Sequence, residues 1–303
     1  MSRRLDDAQV ITHGKPARGV VRGRPAWAGG GSGIDPEPDP ELSFVAQAHD
    51  ADIIASDGTT TAAKPTGTVE GDLMVAGVMH RNGSSLTAPV GWELIANPVA
   101  PNTQWDGFQY QAVYVKVAGP SEPSSYQWSN GGSRAHAGIA TVRNSLTGGK
   151  YEVEAQAFSS NSGSTNPSPH DAPSVDAADD AARILFAFAN CAFAGFAIQE
   201  WTTANGTVMW GGPGTGRVYA LRRDIAAAGA TGPTDIDHGD TFHDAVAVSV
   251  LVRGHPSSFV GDLWSGAVLA EGGGAPVGDD AIAMEDSGAM LLEDNSGSIA
   301  LED

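Results

Sequence analysis

The chain of 303 residues has one cysteine, Cys191, so neither an intramolecular disulfide nor a multi-cysteine metal site can form. Cys191 lies in the apolar run 184–198 and reads as a small buried hydrophobe. Basic residues are also scarce: 17 Lys and Arg stand against 36 Asp and Glu, a net charge of −19. A surface of that sign repels a phosphate backbone and argues against nucleic acid as a partner. No segment reaches ~18 consecutive apolar residues, so no membrane insertion is expected. The opening MSRRLDDAQVITHG contains no apolar core of signal type, so no secretion signal is expected either. Gly-x-Ser-x-Gly is missing and the serines are scattered among turns, which leaves Ser-His-Asp chemistry without a basis.

Glycine and proline are plentiful, at 39 and 18, while apolar residues make up an ordinary 41%. That mixture suits many short strands joined by turns and argues against a helical bundle. Charge is unevenly spread. Residues 1–30 hold Arg3, Arg4, Lys15, Arg18, Arg22 and Arg24 against Asp6 and Asp7, whereas 262–303 hold ten acids and no Lys or Arg. Three physical segments follow: a basic arm at 1–34, a body, and an acidic tail at 255–303.

The arm ends in a glycine run (Gly29 to Gly31, Gly33), followed by DPEPDPE within a linker at 35–43. Glycines loosen the first part, and alternating prolines extend the second, so the stretch reads as a tether. Its basic residues, Arg18, Arg22 and Arg24 foremost, together with Trp27 suit an arm that docks on a neighbouring subunit; a disordered terminus is the plainer alternative. The tail repeats itself as IAMEDSG, MLLEDNSG and IALED, each an apolar stretch closed by Glu-Asp. A unit of 8 to 9 residues cannot stand alone and must pair with its siblings or another chain. Leu291, Leu292, Ile299 and Leu301 are the candidate assembly residues; a capping hairpin is the competing reading.

From 44 to 254 the pattern is strands and turns. LMVAGVM at 73–79, WELIA at 92–96, YQAVYVKVA at 110–118, HAGIATV at 136–142, EVEAQAF at 152–158, ARILFAFA at 182–189, RVYALRRDI at 217–225 and DAVAVSVLV at 244–252 all predict strands. Alternation such as Val113, Val115 and Val117 against Tyr114 and Lys116 suggests strands half-buried in a sandwich. NGS at 82–84, NGG at 130–132, TGG at 147–149 and GGPGTG at 211–216 supply turn chemistry between them. The expected fold is all-β, a jelly-roll-like antiparallel sandwich of two sheets with an extended N-terminal arm and short C-terminal β-repeats.

Candidate sites are soft. DIDHGDTFHD at 235–244 offers Asp235, Asp237 and Asp240 as hard oxygen ligands, for which calcium is the natural ion, and His238 and His243 for a transition metal. The spacing matches no strict metal signature, and a polar loop looks the same, so no cofactor is the base expectation. Nothing brings a second carboxylate to a defined distance from these acids, and no enzymatic activity is expected. Aromatic residues at predicted loops, Trp105, Tyr110 and Trp128 with Asp106 beside the first, could stack on a glycan and read its hydroxyls. The alternative is that such rings fill the core, as Trp92 is expected to do at one end of it.

Taken in series, KPTGTVEGDLMVA (64–76), APVGWELI (88–95), VKVAGPSEPSSYQWS (115–129), GIATVRN (138–144), APSVDAADDAARILFAFA (172–189), RRDIAAAGATGPTD (222–235) and AVAVSVLVRG (245–254) resemble a β-sandwich recurrent in virion proteins of tailed phages. The resemblance covers most of 44–254, and sandwiches of this kind are often minor tail proteins. It implies a structural protein in the tail or decorating the capsid, located in the virion. Its partners would be other virion structural proteins and further copies of itself. It carries no catalytic signature. A host-attachment adhesin, binding a host surface glycan through sandwich loops, is the second reading, and an attachment domain would still need an anchor.

Overall fold

The computed structural model describes residues 40–50, 59–81, 86–100, 109–129, 135–166, 171–193, 203, 205–211, 218–236, 242–260 and 263. The first half supplies β1 (Leu42–His49), β2 (Thr59–Ala63), β3 (Leu73–Arg81), β4 (Glu93–Ala96), β5 (Val99–Ala100), β6 (Gln109–Val117), β7 (Ser125–Ser129) and β8 (Ala135–Asn144). The second half supplies β9 (Lys150–Asn166), β10 (Asp176–Ala177), β11 (Arg183–Phe193), β12 (Thr207–Trp210), β13 (Val218–Ile225), β14 (Gly229–Ala230) and β15 (Phe242–His255). Among the described residues there is no helix, and all eight predicted strands are present. The body begins at Leu42, two residues ahead of its expected boundary, and β15 ends one residue beyond the other.

Two antiparallel sheets face each other, one ordered β1-β8-β3-β6-β4 with β5 added to β6, the other β12-β13-β11-β15-β9. The likeness to a jelly roll lies in those two facing sheets. The chain path has its own form, since the first half of the sequence builds one sheet and the second half builds the other. Between them Leu73, Val75, Val113, Val115, Ala140 and Val142 of the first sheet meet Ile184, Phe186, Phe188, Val248, Val250 and Val252 of the second. Removing this apolar area from water is the main stabilising term.

The central strands are not half-buried as their alternation suggests. Met74 and Val75 are both fully buried, and β8 is buried along its length except at Arg143. A two-stranded ribbon covers the outer face of each sheet, β2-β7 on the first and β10-β14 on the second. Under the first ribbon, Met74, Ala76, Tyr114 and Ile139 pack against Ala62, Trp92, Tyr126 and Trp128. Tyr114 therefore lies inside, although the alternation puts it on a wet face, and Val117, assigned to the dry face, is 44% exposed. Under the second ribbon, Leu185 and Leu251 pack against Val175 and Ala177.

The two halves have one topology. Numbering the five large-sheet strands of each half in chain order, both sheets read first, fifth, second, fourth, third. In both, one ribbon strand falls between the first and second of these, and the other between the fourth and fifth. The irregularities repeat as well. Phe44 and Ala46 flank a bulge opposite Val142 and Thr141, just as Val153 and Ala155 flank one opposite Val252 and Leu251. Leu94 and Ala96 flank another opposite Tyr114 and Val113, matched by Val208 and Trp210 opposite Leu221 and Ala220. A bulge is a specific local device, and finding both at matched positions identifies an internal repeat. Sequence echoes are short: Ala46-Gln47-Ala48 against Ala155-Gln156-Ala157, and Val142-Arg143 against Val252-Arg253.

The halves nevertheless meet through unlike residues. Gly77 and Gly138 pair across β3 and β8, and a Cβ on either would lie 2.3 Å from the Phe188 ring or 2.4 Å from the Trp210 ring. By strand register Phe188 holds the place in its own half that Gly77 holds in the first. A large ring on one side thus fills the space that a missing side chain leaves on the other.

Candidate functional site

The strands run so that the two ends of the sandwich differ. Leu42 pairs with Asn144 and Lys150 pairs with His255, so the chain enters, crosses between halves and leaves the sandwich at one end. A Cβ on Gly254 would lie 3.0 Å from the Leu42 side chain, which brings the two exits side by side. At the opposite end lie the strand ends Arg81, Gln109, Ala135, Phe193, Trp210, Val218 and Phe242. The segment holding Trp105, between Ala100 and Gln109, begins and finishes there, as does the one between Trp210 and Val218.

At the end where β1 begins, a cleft of about 290 Å³ is lined by Glu70, Asp72, Arg143, Tyr151 and the 145–149 turn. Buried Asp72 accepts from Val69 N–H at 2.8 Å and from Arg143 Nε and Nη2, each at 2.8 Å. The sequence suggests Asp72 as a local turn former, and the structure adds this two-pronged ion pair. The carboxylate holds the guanidinium charged and raises its pKa. Arg143 stays 42% exposed, so one fixed cationic face is offered to an anionic partner. Asn144 donates to Lys150 O and His255 O, both at 2.9 Å, and so ties the two exits together.

In the second half Arg183 stands where Asp72 stands in the first, and it pairs in register with Arg253. Two like charges would repel, and two acids resolve this. Asp179 takes Arg183 Nη2 at 2.8 Å and Arg253 Nη1 at 2.9 Å, while Glu154 grips Arg183 from the bulge. The Ala181 backbone N–H and then Arg183 hold the Asp179 carboxyl down to about 2. These charges are structural, and their residues went unnoticed in the sequence because their partners come from distant strands.

The predicted site residues fare unequally. Trp128 is fully buried, its ring 5.3 Å from Trp92 and 6.4 Å from Tyr126, so it has no face to offer a glycan. The ribbon that carries it turns its apolar side onto the sheet, and the core alternative is the correct one for this residue. Trp92 belongs to the same outer cluster, under the ribbon. Tyr110 is partly exposed at the far end, but its ring stacks on His80 at 4.5 Å and 9°. Trp105 and Asp106 lie outside the described residues, as do Asp237, Asp240, His238, the arm residues Arg18, Arg22, Arg24 and Trp27, and the tail residues Leu291, Leu292, Ile299 and Leu301. Asp235 is partly buried beside Asp171, whose pKa is raised first by burial and then by the Asp235 charge. Among the described residues no group of three His, Cys, Asp or Glu is placed to hold a metal.

Buried histidines mark the far end. His80 Nε2–H donates to Asn97 Oδ1 at 3.3 Å, and Asn190 Nδ2 donates to Tyr110 O at 2.7 Å. His136 is fully buried, with the His49 ring 6.0 Å away and the Trp210 ring beyond it. Burial lowers the pKa of both His80 and His136 to about 4. None of these groups forms a nucleophile–base pair of the kind acyl transfer requires.

Comparison with known proteins gives no match to any protein family, curated protein or solved structure. The class is therefore defined by the architecture alone: a duplicated antiparallel β-sandwich with a ribbon on each outer face.

Proposed function

We propose that the protein is a structural component of a tailed-phage virion, associated with the tail or decorating the particle surface and anchored through its terminal segments. The observation that carries this reading is that the first strand of the sandwich begins where the last one finishes. Leu42 and Gly254 lie side by side at one end, which leaves the far end for other contacts. The sequence resemblance of 44–254 to tailed-phage virion sandwiches supplies the setting. A body rich in structural ion pairs and two-sided cores suits a scaffold better than a catalyst. Electron microscopy of the particle, with the subunit located by a tag or antibody, tests it. The sandwich should contact its neighbours through the end where β1 begins and β15 finishes. A protein absent from purified particles would overturn the reading.

The second reading, attachment to a host glycan, keeps one specific support: the segment with Trp105 and Asp106 starts and ends at the far end of the sandwich. Glycan-array binding lost in a Trp105→Ala variant would favour it.

A further inference from the structure

The internal repeat makes one edge of the molecule a template for another. In the second half, the outer edge of β9 is capped by the chain after β15: Val153 N–H donates to Leu263 O at 2.7 Å, and Leu263 packs onto the central core. Tyr151 and Val153 beneath it are buried. Their counterparts in the first half are Leu42 and Phe44, on the outer edge of β1. Among the described residues β1 pairs on one side only, with β8, and Leu42 and Phe44 are only partly buried. The second half has a backbone cap at this position, Leu263, and the described first half has none.

We infer that an apolar stretch of the C-terminal repeats adds to the lower edge of β1, over Leu42–Phe44, as the segment at Leu263 adds to β9. An exposed sheet edge with apolar side chains beside it is the ordinary acceptor for such strand addition. The tail has the matching chemistry. Each repeat offers at least two large apolar residues, Ile282 and Met284, Leu291 and Leu292 after Met290, or Ile299 and Leu301, followed at once by Glu-Asp. Cations flank the acceptor. Arg143 lies opposite Ser43 and is 42% exposed, and the Arg222 guanidinium sits 4.5 Å over the Phe44 ring. The apolar pair would cover Leu42 and Phe44 while the acids reach the arginines. Forty residues follow Leu263, enough to reach β1 of the same copy or of a neighbour.

Hydrogen exchange on the full-length protein in solution tests this without any particle, so its failure and that of the virion reading are separable. In a full-length variant with Ile282→Asp, Met284→Asp, Leu291→Asp, Leu292→Asp, Ile299→Asp and Leu301→Asp, peptides covering β1 should exchange about tenfold faster than in the parent. Peptides covering β9 should not change, because Leu263 is retained. Protection of β1 that grows with protein concentration assigns the strand to a second copy, and protection independent of concentration assigns it to the same chain. Unchanged exchange at β1, or equal acceleration throughout the sandwich, overturns the docking.

Discussion

Gly77 and Gly138 are the residues on which the meeting of the two sheets depends. A glycine inside a strand costs order and packs nothing, so it persists where another group must come close. That signal was legible in GVM and AGI within the predicted strands; what could not be read was the identity of the visitors, Phe188 and Trp210, which arrive from the other half. Gly77→Ala or Gly138→Ala places a methyl inside an aromatic ring and should destabilise the fold by about 1–3 kcal/mol. Urea unfolding measures it, and a midpoint shift below about 0.3 kcal/mol would show that the rings move aside at little cost. His80 and His136 carry a second prediction at this scale. Burial depresses both to about 4, so each is neutral in the folded protein below neutral pH, whereas the unfolded chain takes up protons near 6.5. Stability is then complete above 6.5 and is lost as pH falls toward 4. His136 also senses Asp50, which opposes the shift, and His49, which adds to it. Between pH 7 and pH 5 each should cost about 2 kcal/mol. His136→Gln should roughly halve that slope, and an identical slope in the variant would put the dependence elsewhere.

Among the elements, β3, β4, β6, β8, β9, β11, β13 and β15 were legible because β-branched and aromatic residues recur there with turns between them. The ribbon strands were not, for a physical reason. β2 is TTTAA and β10 and β14 are two residues each, so no run of apolar side chains marks them; they are ribbons whose role is to cover strands that would otherwise be wet. Their absence from the sequence reading explains why the strands beneath were expected to be half-buried. β1 was missed because LSFVAQAH follows the proline-rich linker and carries only two large apolar side chains at its start. Its identity becomes plain only beside β9, where the same Ala-Gln-Ala follows the same bulge. Bulges themselves leave no mark in a single strand's sequence, since the extra residue shows only against a partner. The candidate site was less legible than the fold. Loop aromatics can be chosen from a sequence, but Trp128 shows that a loop-adjacent ring in a short strand is as readily a ribbon's contribution to the core.

For the whole molecule, the repeat and the shared end of its first and last strands make a joint prediction. The halves are joined by the turn at 145–149, at the end where the chain also enters and leaves. Leu42 and Gly254 are in contact range, so a short linker can join the original ends of the body without crossing any face. A circular permutant that begins at Lys150, runs through β15 and a linker to β1, and stops at Gly149 therefore reverses the order of the halves and leaves every strand pairing intact. Permutation at an exposed turn between close termini is generally tolerated. The central core draws on both sheets, and neither half can bury its inner face alone, so the permutant should melt in one cooperative transition. Its far-ultraviolet spectrum should remain β-type, and its melting temperature should stay within about 10 °C of the parent, the cost of cutting one turn. Two separate transitions would mean that each half is a domain of its own. A permutant without cooperative melting would mean that the 145–149 turn, with Asn144 bridging to Lys150 and His255, specifies the fold rather than merely connecting two copies of it.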